Sequence, residues 1–288
     1  MARALVIGGT LFIGRALVEQ LLARGDEVAI MHRGAGTPFG SRVSELQCDR
    51  NDVDAVRSAL KDSRFDVVYD NVYDWQRGTT ANQVTAAAIA AASSGSLRRY
   101  VFTSSVAAYA APGEYDEDGP LAPADHPNVY GAQKAASERA LFDPRHGIPA
   151  STLRPTFIYG PHNAFDREAF FWDRILAGRP IVVPADGSRL MQWVHVRDVA
   201  RAAVLAGDEP RALGRAYNLA NYPPITQTEY VQLLANVAGT HANLVRIPRE
   251  QIEQLGGQLF VPPLYFGVYL DVPLTVARND RARSELGL

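Results

Sequence analysis

Tyr130 and Lys134 stand four residues apart in the stretch YGAQK. On a helix, positions i and i+4 share a face, so the phenol and the ammonium would point the same way. A tyrosine ordinarily ionises near ~10. A neighbouring ammonium favours the phenolate and brings it toward a range useful for general-base work. Such a pair could take a proton from a hydroxyl. With 12 tyrosines and two lysines in 288 positions, this spacing is expected by chance only about 0.08 times. The chain otherwise prefers arginine: of 29 basic residues only Lys61 and Lys134 are lysine. Arginine spreads its charge over a broad fork and would not replace a compact ammonium. A second donor is needed to hold the substrate oxygen. The run Thr103-Ser104-Ser105 offers hydroxyls at the end of a predicted strand, Arg99 to Thr103.

A second chemical feature lies at the start, in VIGGTLFIG (Val6 to Gly14). A short apolar strand runs into glycines and then into a helical period, Ile13 to Ala23. A helix N-terminus leaves N–H groups unpaired and carries partial positive charge, which suits a pyrophosphate. Gly8 permits the tight turn, and Gly14 lets the helix pack closely on the sheet. Thr10 adds a hydroxyl, and Leu11, Phe12 and Ile13 complete the turn that would meet the cofactor. Leu11 stands where such turns often carry glycine; its side chain is tolerated if it points away, because the bonding groups are backbone amides. Strand, turn and helix in this order predict a bound dinucleotide, with a featureless tight turn as the alternative. A nicotinamide cofactor and a phenolate together make hydride chemistry. The positive oxidised ring further favours the phenolate, and Lys134 could also bond the nicotinamide ribose.

The end of the second strand selects between cofactors. It reads Met31-His32-Arg33-Gly34 and lacks the carboxylate that bonds the ribose hydroxyls of NAD. Arg33 could pair with a 2′-phosphate, so NADP is preferred over NAD; a solvated loop charge is the other reading. Asp49, ahead of the helix at 52–60, could meet the adenine edge or simply open that helix. Tyr73, Asp74 and Trp75 could line the adenine side or pack.

The elements that must position these residues alternate: strands at Ala4–Ile7, Glu27–Met31, Phe65–Tyr69, Arg99–Thr103 and Ala150–Leu153, with helices at 52–60, 78–92 and 130–141 between the later ones. That alternation predicts an α/β fold, a doubly wound parallel sheet with helices on both faces. Residues 1–160 form the predicted cofactor domain, with 190–220 returning to it. The return includes a strand at Gln192–Val196 joining the main sheet and a helix opened by Asp198. Residues 161–189 and 221–288 form a smaller substrate lobe. Its helices are expected at Phe165–Ala177 and Glu229–Ala238, and its core at Phe170, Phe171, Trp172, Phe260, Tyr265, Phe266 and Tyr269. His195 is expected to hydrogen-bond within the core.

Composition bounds the rest. A 47% hydrophobic chain of 288 residues can bury a large core, and a net charge of −2 disfavours a nucleic-acid partner. Cys48 is the one cysteine, so the expected setting is a reducing cytoplasm. The six histidines lie singly, giving no metal spacing. No membrane span and no targeting segment are expected.

Together these stretches resemble the extended short-chain dehydrogenase/reductase family, the NAD-dependent epimerase/dehydratase group. GGTLFIG resembles its cofactor loop, FTSSVAAY its serine strand and YGAQK its Tyr-x-x-x-Lys. LRPTFIYGP, which contains Pro155, resembles the segment passing the nicotinamide. WVHVRDVA and the closing RARSELGL resemble its later elements. The resemblance implies Ser105, Tyr130 and Lys134 as catalytic residues, a small-molecule sugar or sugar-nucleotide-like substrate, and a homodimer through a helix bundle. It implies hydride transfer at a carbinol carbon, with epimerisation favoured and a simple ketoreductase using the same residues. Departures stand out. Leu11 resembles the atypical branch that includes chloroplast stem-loop-binding proteins, some associated with RNA, so a non-catalytic NAD(P)-binding or RNA-associated protein is the alternative. Phe157 replaces an asparagine that helps hold the substrate diphosphate, and Met191-Gln192 replaces an Arg-Asp pair, with Arg189 as a possible substitute. Val106-Ala107 after Ser105 lacks the acid pair of the dehydratases.

Overall fold

The computed structural model describes residues 1–164, 168–255 and 275–288. Seven strands build the central sheet: β1 (Arg3–Ile7), β2 (Glu27–His32), β3 (Ser44–Gln47), β4 (Val67–Asp70), β5 (Arg99–Thr103), β6 (Ala150–Pro155) and β7 (Ala216–Leu219). Their order is β7-β6-β5-β4-β1-β2-β3, and every neighbouring pair is parallel. The central strands read as continuous apolar runs because helices cover both faces. On one face α1 (Phe12–Arg24) packs against α6 (Val196–Asp208), and the closing α9 (Asp280–Leu286) packs on α6. On the other lie α2 (Val53–Leu60), α3 (Ala81–Ala92) and α4 (Val129–Leu141), each beside the next. Leu17, Leu21, Val199 and Ala203 fill the first interface; Leu60, Val84, Ala87 and Leu141 fill the second.

Register decides where a ligand can sit. Ile7 pairs with both Met31 and Asp70, Asp70 with Phe102, and Thr103 with Leu153. The carboxyl ends of the strands are therefore level, and the strand order reverses between β1 and β4. Open α/β sheets bind ligands in that crevice.

Several boundaries differ from expectation. Helix α3 starts at Ala81, not Gly78, because Thr80 and Gln83 form a reciprocal capping box there. The strand expected at Gln192–Val196 is Trp193–His195, and it does not join the main sheet. It pairs with Phe157–Tyr159, just beyond the end of β6. The strand that does join is β7, which the sequence reading missed. Both segments are short and mix apolar with polar residues, so periodicity cannot say which one pairs with β6. Asp198 is not the cap of α6. His195 is, its Nδ1 accepting from the Arg197 N–H at 3.3 Å, while Asp198 lies exposed in the first turn.

A smaller hydrophobic cluster gathers around Phe171, Ile181, Met191, Trp193, Tyr230 and Val231. It is built by α5 (Ala169–Leu176), α7 (Gln227–Val237) and α8 (Arg249–Gln254) with short paired strands at Ile181–Pro184 and Leu244–Ile247. Phe165, Phe260, Tyr265, Phe266 and Tyr269 lie outside the described residues.

One ion pair ties α4 to the sheet. Arg154 on β6 and Glu138 on α4 are 3% and 0% exposed and meet at 2.6 Å. Glu138 also accepts from Ser104 Oγ and Thr152 Oγ1, and Arg154 donates to the Glu117 carbonyl at 2.8 Å and to the Tyr109 hydroxyl at 3.0 Å. Burial opposes the Arg154 charge, but the Glu138 carboxylate outweighs it and holds the guanidinium above its ordinary pKa. Removing one partner of a buried pair strands the other charge. Glu138→Ala is expected to lower unfolding free energy by about 3–5 kcal/mol, read by urea denaturation. A loss within the range of an exposed pair, below about 1 kcal/mol, would contradict this account.

Candidate active site

The glycine turn is built as its composition demands. Gly8 sits at φ +87° and its N–H donates to the Met31 carbonyl at 2.9 Å. A Cβ on Gly14 would lie 1.9 Å from the Gly8 carbonyl oxygen, so only glycine lets α1 press onto the turn. Leu11 is 65% exposed. Phe12 takes a left-handed φ of 42°, a strained conformation for a bulky residue. No side chain caps α1 and its first turn holds no acid. Its leading N–H groups are left for water or an anion.

Helix α4 carries Tyr130 and Lys134. Asn128 caps it, accepting from the Gly131 N–H at 3.2 Å. A Cβ at Gly131 would stand 2.1 Å from the Ala107 carbonyl oxygen. This close approach sets Tyr130 beside the turn that begins at Ser105, whose Oγ accepts from the Ala107 N–H at 3.1 Å. Lys134 lies beneath, 4% exposed, and its Nζ donates to the Thr103 carbonyl at 2.6 Å. The ammonium sits 4.5 Å from the Phe102 ring centroid, 5.6 Å from Tyr73 and 5.9 Å from Tyr130. Burial pushes its pKa down to about 8, against the pull of Asp70.

A single cleft of about 980 Å³ joins these parts. Gly8, Thr10, Leu11, Phe12, Ile13 and Gly14 line one stretch; Arg33 and Asp49 line another; Ser105, Tyr130, Lys134 and Pro155 line the third. All the sequence-derived site residues therefore share one cavity. The uncapped turn and the close approach at Gly14 leave the cradle that a dinucleotide pyrophosphate fits.

Other side chains were not anticipated in their roles. Asp74 is 8% exposed and binds Arg77 through its backbone N–H (3.0 Å), Nε (2.9 Å) and Nη2 (2.8 Å), and Arg33 through Nη1 (3.3 Å). The Arg77 N–H and guanidinium hold its carboxyl at about 2. Arg77 also donates to Asp49 at 2.8 Å. Asp74 thus stands at the Arg33 end of the cleft, whereas Tyr73 and Trp75 pack on Tyr130. Glu138, four residues beyond Lys134, could have been found by extending the helical spacing one more turn. Phe157 and Gln192 line the cleft. Gln192 is spent inside the fold, donating to the Asn221 and Ala277 carbonyls and accepting from the Ala277 N–H. Arg189 is not among the described cleft residues.

Comparison with known proteins places this arrangement. A match to the NAD dependent epimerase/dehydratase family spans residues 4–220. The chain belongs to that family. Among curated relatives of this epimerase/dehydratase chain is the chloroplast stem-loop binding protein of 41 kDa b of Arabidopsis thaliana. It is 29% identical over 82% of the chain, which spans 63% of that relative's length. This likeness agrees with the atypical-branch resemblance of the Leu11 turn. A 3-diazoavenalumate denitrifying reductase of a Streptomyces species is 30% identical over 99% of the chain and 95% of its own length. The structure of MoeE5 in complex with UDP-glucose and NAD shares the fold, with a TM-score of 0.73 and 24% identity over 99% of this chain and 92% of that one. Among the described residues no helix is long and apolar enough to cross a membrane.

The buried amine of this epimerase/dehydratase member has a testable consequence. A lysine whose folded pKa lies below its unfolded value weakens the fold while it is protonated. That burden is full below pH ~8 and lifts as pH rises toward the unfolded value near ~10.4. Lys134→Met is therefore expected to melt several degrees higher than the wild type at pH 7, with the gap narrowing toward pH 10. A lower melting temperature at pH 7 would show that the Thr103 bond outweighs burial.

Proposed function

We propose that the protein is an NAD(P)-dependent oxidoreductase of the epimerase/dehydratase family, moving hydride at a carbinol carbon of a sugar or sugar-nucleotide-like substrate. The observation that supports this most is the convergence of Tyr130, Lys134 and Ser105 on the cavity that begins at the glycine turn. A nicotinamide cofactor held there supplies the hydride acceptor or donor. Ser105 Oγ and the Tyr130 hydroxyl hold the substrate oxygen from two elements. Tyr130, ionised beside the Lys134 ammonium, takes the hydroxyl proton as the carbon is oxidised and returns one on reduction. Burial of Lys134 keeps the ammonium close and poorly screened. Epimerisation follows if the oxidised substrate is reduced on its other face before release.

A reductase that releases its cofactor after each turnover is the second reading. It is favoured by the near full-length similarity to a denitrifying reductase, and by Phe157 and Gln192, which offer no free polar group to a diphosphate. An RNA-associated role has the stem-loop binding relative in its support and the net charge of −2 against it. NADP is the preferred cofactor, since Arg33 and Arg77 flank the Asp74 end of the cleft and guanidinium forks suit a 2′-phosphate.

With UDP-glucose, UDP-galactose and a panel of simple carbonyl compounds as probes, Tyr130→Phe is expected to cut turnover by about 10²–10⁴-fold. NADPH affinity should stay within a few-fold; unchanged turnover removes Tyr130 from the mechanism. Arg33→Ala is expected to weaken NADPH by about tenfold or more while leaving NADH nearly unchanged, measured by fluorescence titration. Equal losses for both cofactors would defeat the phosphate assignment. Cofactor retained through purification supports the epimerase, and its loss supports the reductase.

A further inference from the structure

The loop between β4 and α3 does more than border the cleft. It reads Asn71-Val72-Tyr73-Asp74-Trp75 before running on to Thr80. Tyr73 lies edge-on to the Tyr130 ring, with centroids 4.7 Å apart and planes at 85°. Its hydroxyl donates to Gln133 Oε1 at 2.7 Å. Gln133 sits on α4 between Tyr130 and Lys134, and the same oxygen accepts from the Thr79 N–H at 3.3 Å. The Tyr73 ring also faces the Lys134 ammonium, 5.6 Å away. Trp75 stacks on Tyr130 at 4.9 Å and meets Tyr73 edge-on at 4.9 Å. The loop itself is anchored, because Asp74 N–H donates to Thr79 Oγ1 and the Asp74 carboxylate holds Arg77 and Arg33.

We propose that Tyr73 is a positioning residue, whose ring sets the orientation of the Tyr130 phenol and confines the Lys134 ammonium beneath it. The inference rests on reading Tyr130 as the base. An edge-to-face aromatic pair restricts ring rotation, and a ring face near an ammonium attracts it. An aliphatic side chain of similar size fills the space but does neither. Burial and the Asp74 charge raise the pKa of Tyr73 itself, so it remains a neutral donor to Gln133. The other charged groups acting on Lys134 are Asp70, Arg50 and Glu138, which every variant below retains.

The test needs no substrate. Protein labelled with ¹³C at tyrosine Cζ is titrated by NMR in saturating NADP⁺, with Tyr130 assigned by the signal lost in Tyr130→Phe. Tyr73→Leu is expected to raise the Tyr130 midpoint by about one pH unit. Tyr73→Phe keeps the ring and should hold the midpoint within about 0.3 units while losing only the Gln133 bond. An unmoved midpoint in a folded Tyr73→Leu, or equal shifts in both variants, overturns the proposal while leaving Tyr130 as the base. A wild-type midpoint at the ordinary value of about 10 overturns both readings together.

Discussion

Lys134 carries a charge to a place where burial disfavours it, and the surrounding structure is arranged around that conflict. Among the described residues its ammonium has one direct hydrogen-bond partner, the Thr103 carbonyl. Aromatic faces and buried carboxylates supply the rest. Asp70 is wholly buried, bonded to Arg50 at 2.5 Å and to the Tyr100 hydroxyl at 2.7 Å. Glu138 is equally buried and balanced by Arg154. These pairs form a charged layer just under the carboxyl edge of the sheet. Such pairs contribute little net stability compared with a well-packed apolar core. What they provide is a fixed field below the cleft floor, in a medium where charge is weakly screened.

That field matters because the two ends of the cleft are joined by consecutive residues. Asp74 organises the arginines at one end; Tyr73 and Trp75, on either side of it, pack on Tyr130 at the other. Geometry at the Arg33 end and geometry at Tyr130 are therefore set by a single short loop. A loop held at both ends by charged hydrogen bonds and aromatic contacts has few independent positions available to it.

Two departures from the family pattern, Phe157 and Gln192, fall on the walls of the cleft. Leu11 is exposed, and the turn beside it keeps the close approach at Gly14. Gln192 has been drawn into structural bonds with Asn221 and Ala277, and Phe157 packs near Trp193. Phe157 and Gln192 sit beyond β6, on elements separate from α4, which carries Tyr130 and Lys134.

The Tyr130–Lys134 juxtaposition, the glycine turn and the doubly wound architecture were legible in the linear chain because each is a local pattern. Tyr-x-x-x-Lys is one turn of helix, VIGGTLFIG is one strand-to-helix turn, and alternating apolar periods imply a covered parallel sheet. Three things were not legible: that β7 and not Trp193–His195 completes the sheet, that His195 caps α6, and that Tyr73 embraces Tyr130 while Asp74 does not. Each depends on which of several chemically equivalent partners ends up adjacent in space, and pairing between segments dozens of residues apart leaves no periodic trace. The sequence by itself determined the chemistry on offer and the class of scaffold that carries it. Only the tertiary structure decided how deeply Lys134 is buried and what encloses Tyr130, because burial and ring contact are properties of packed elements and not of spacing.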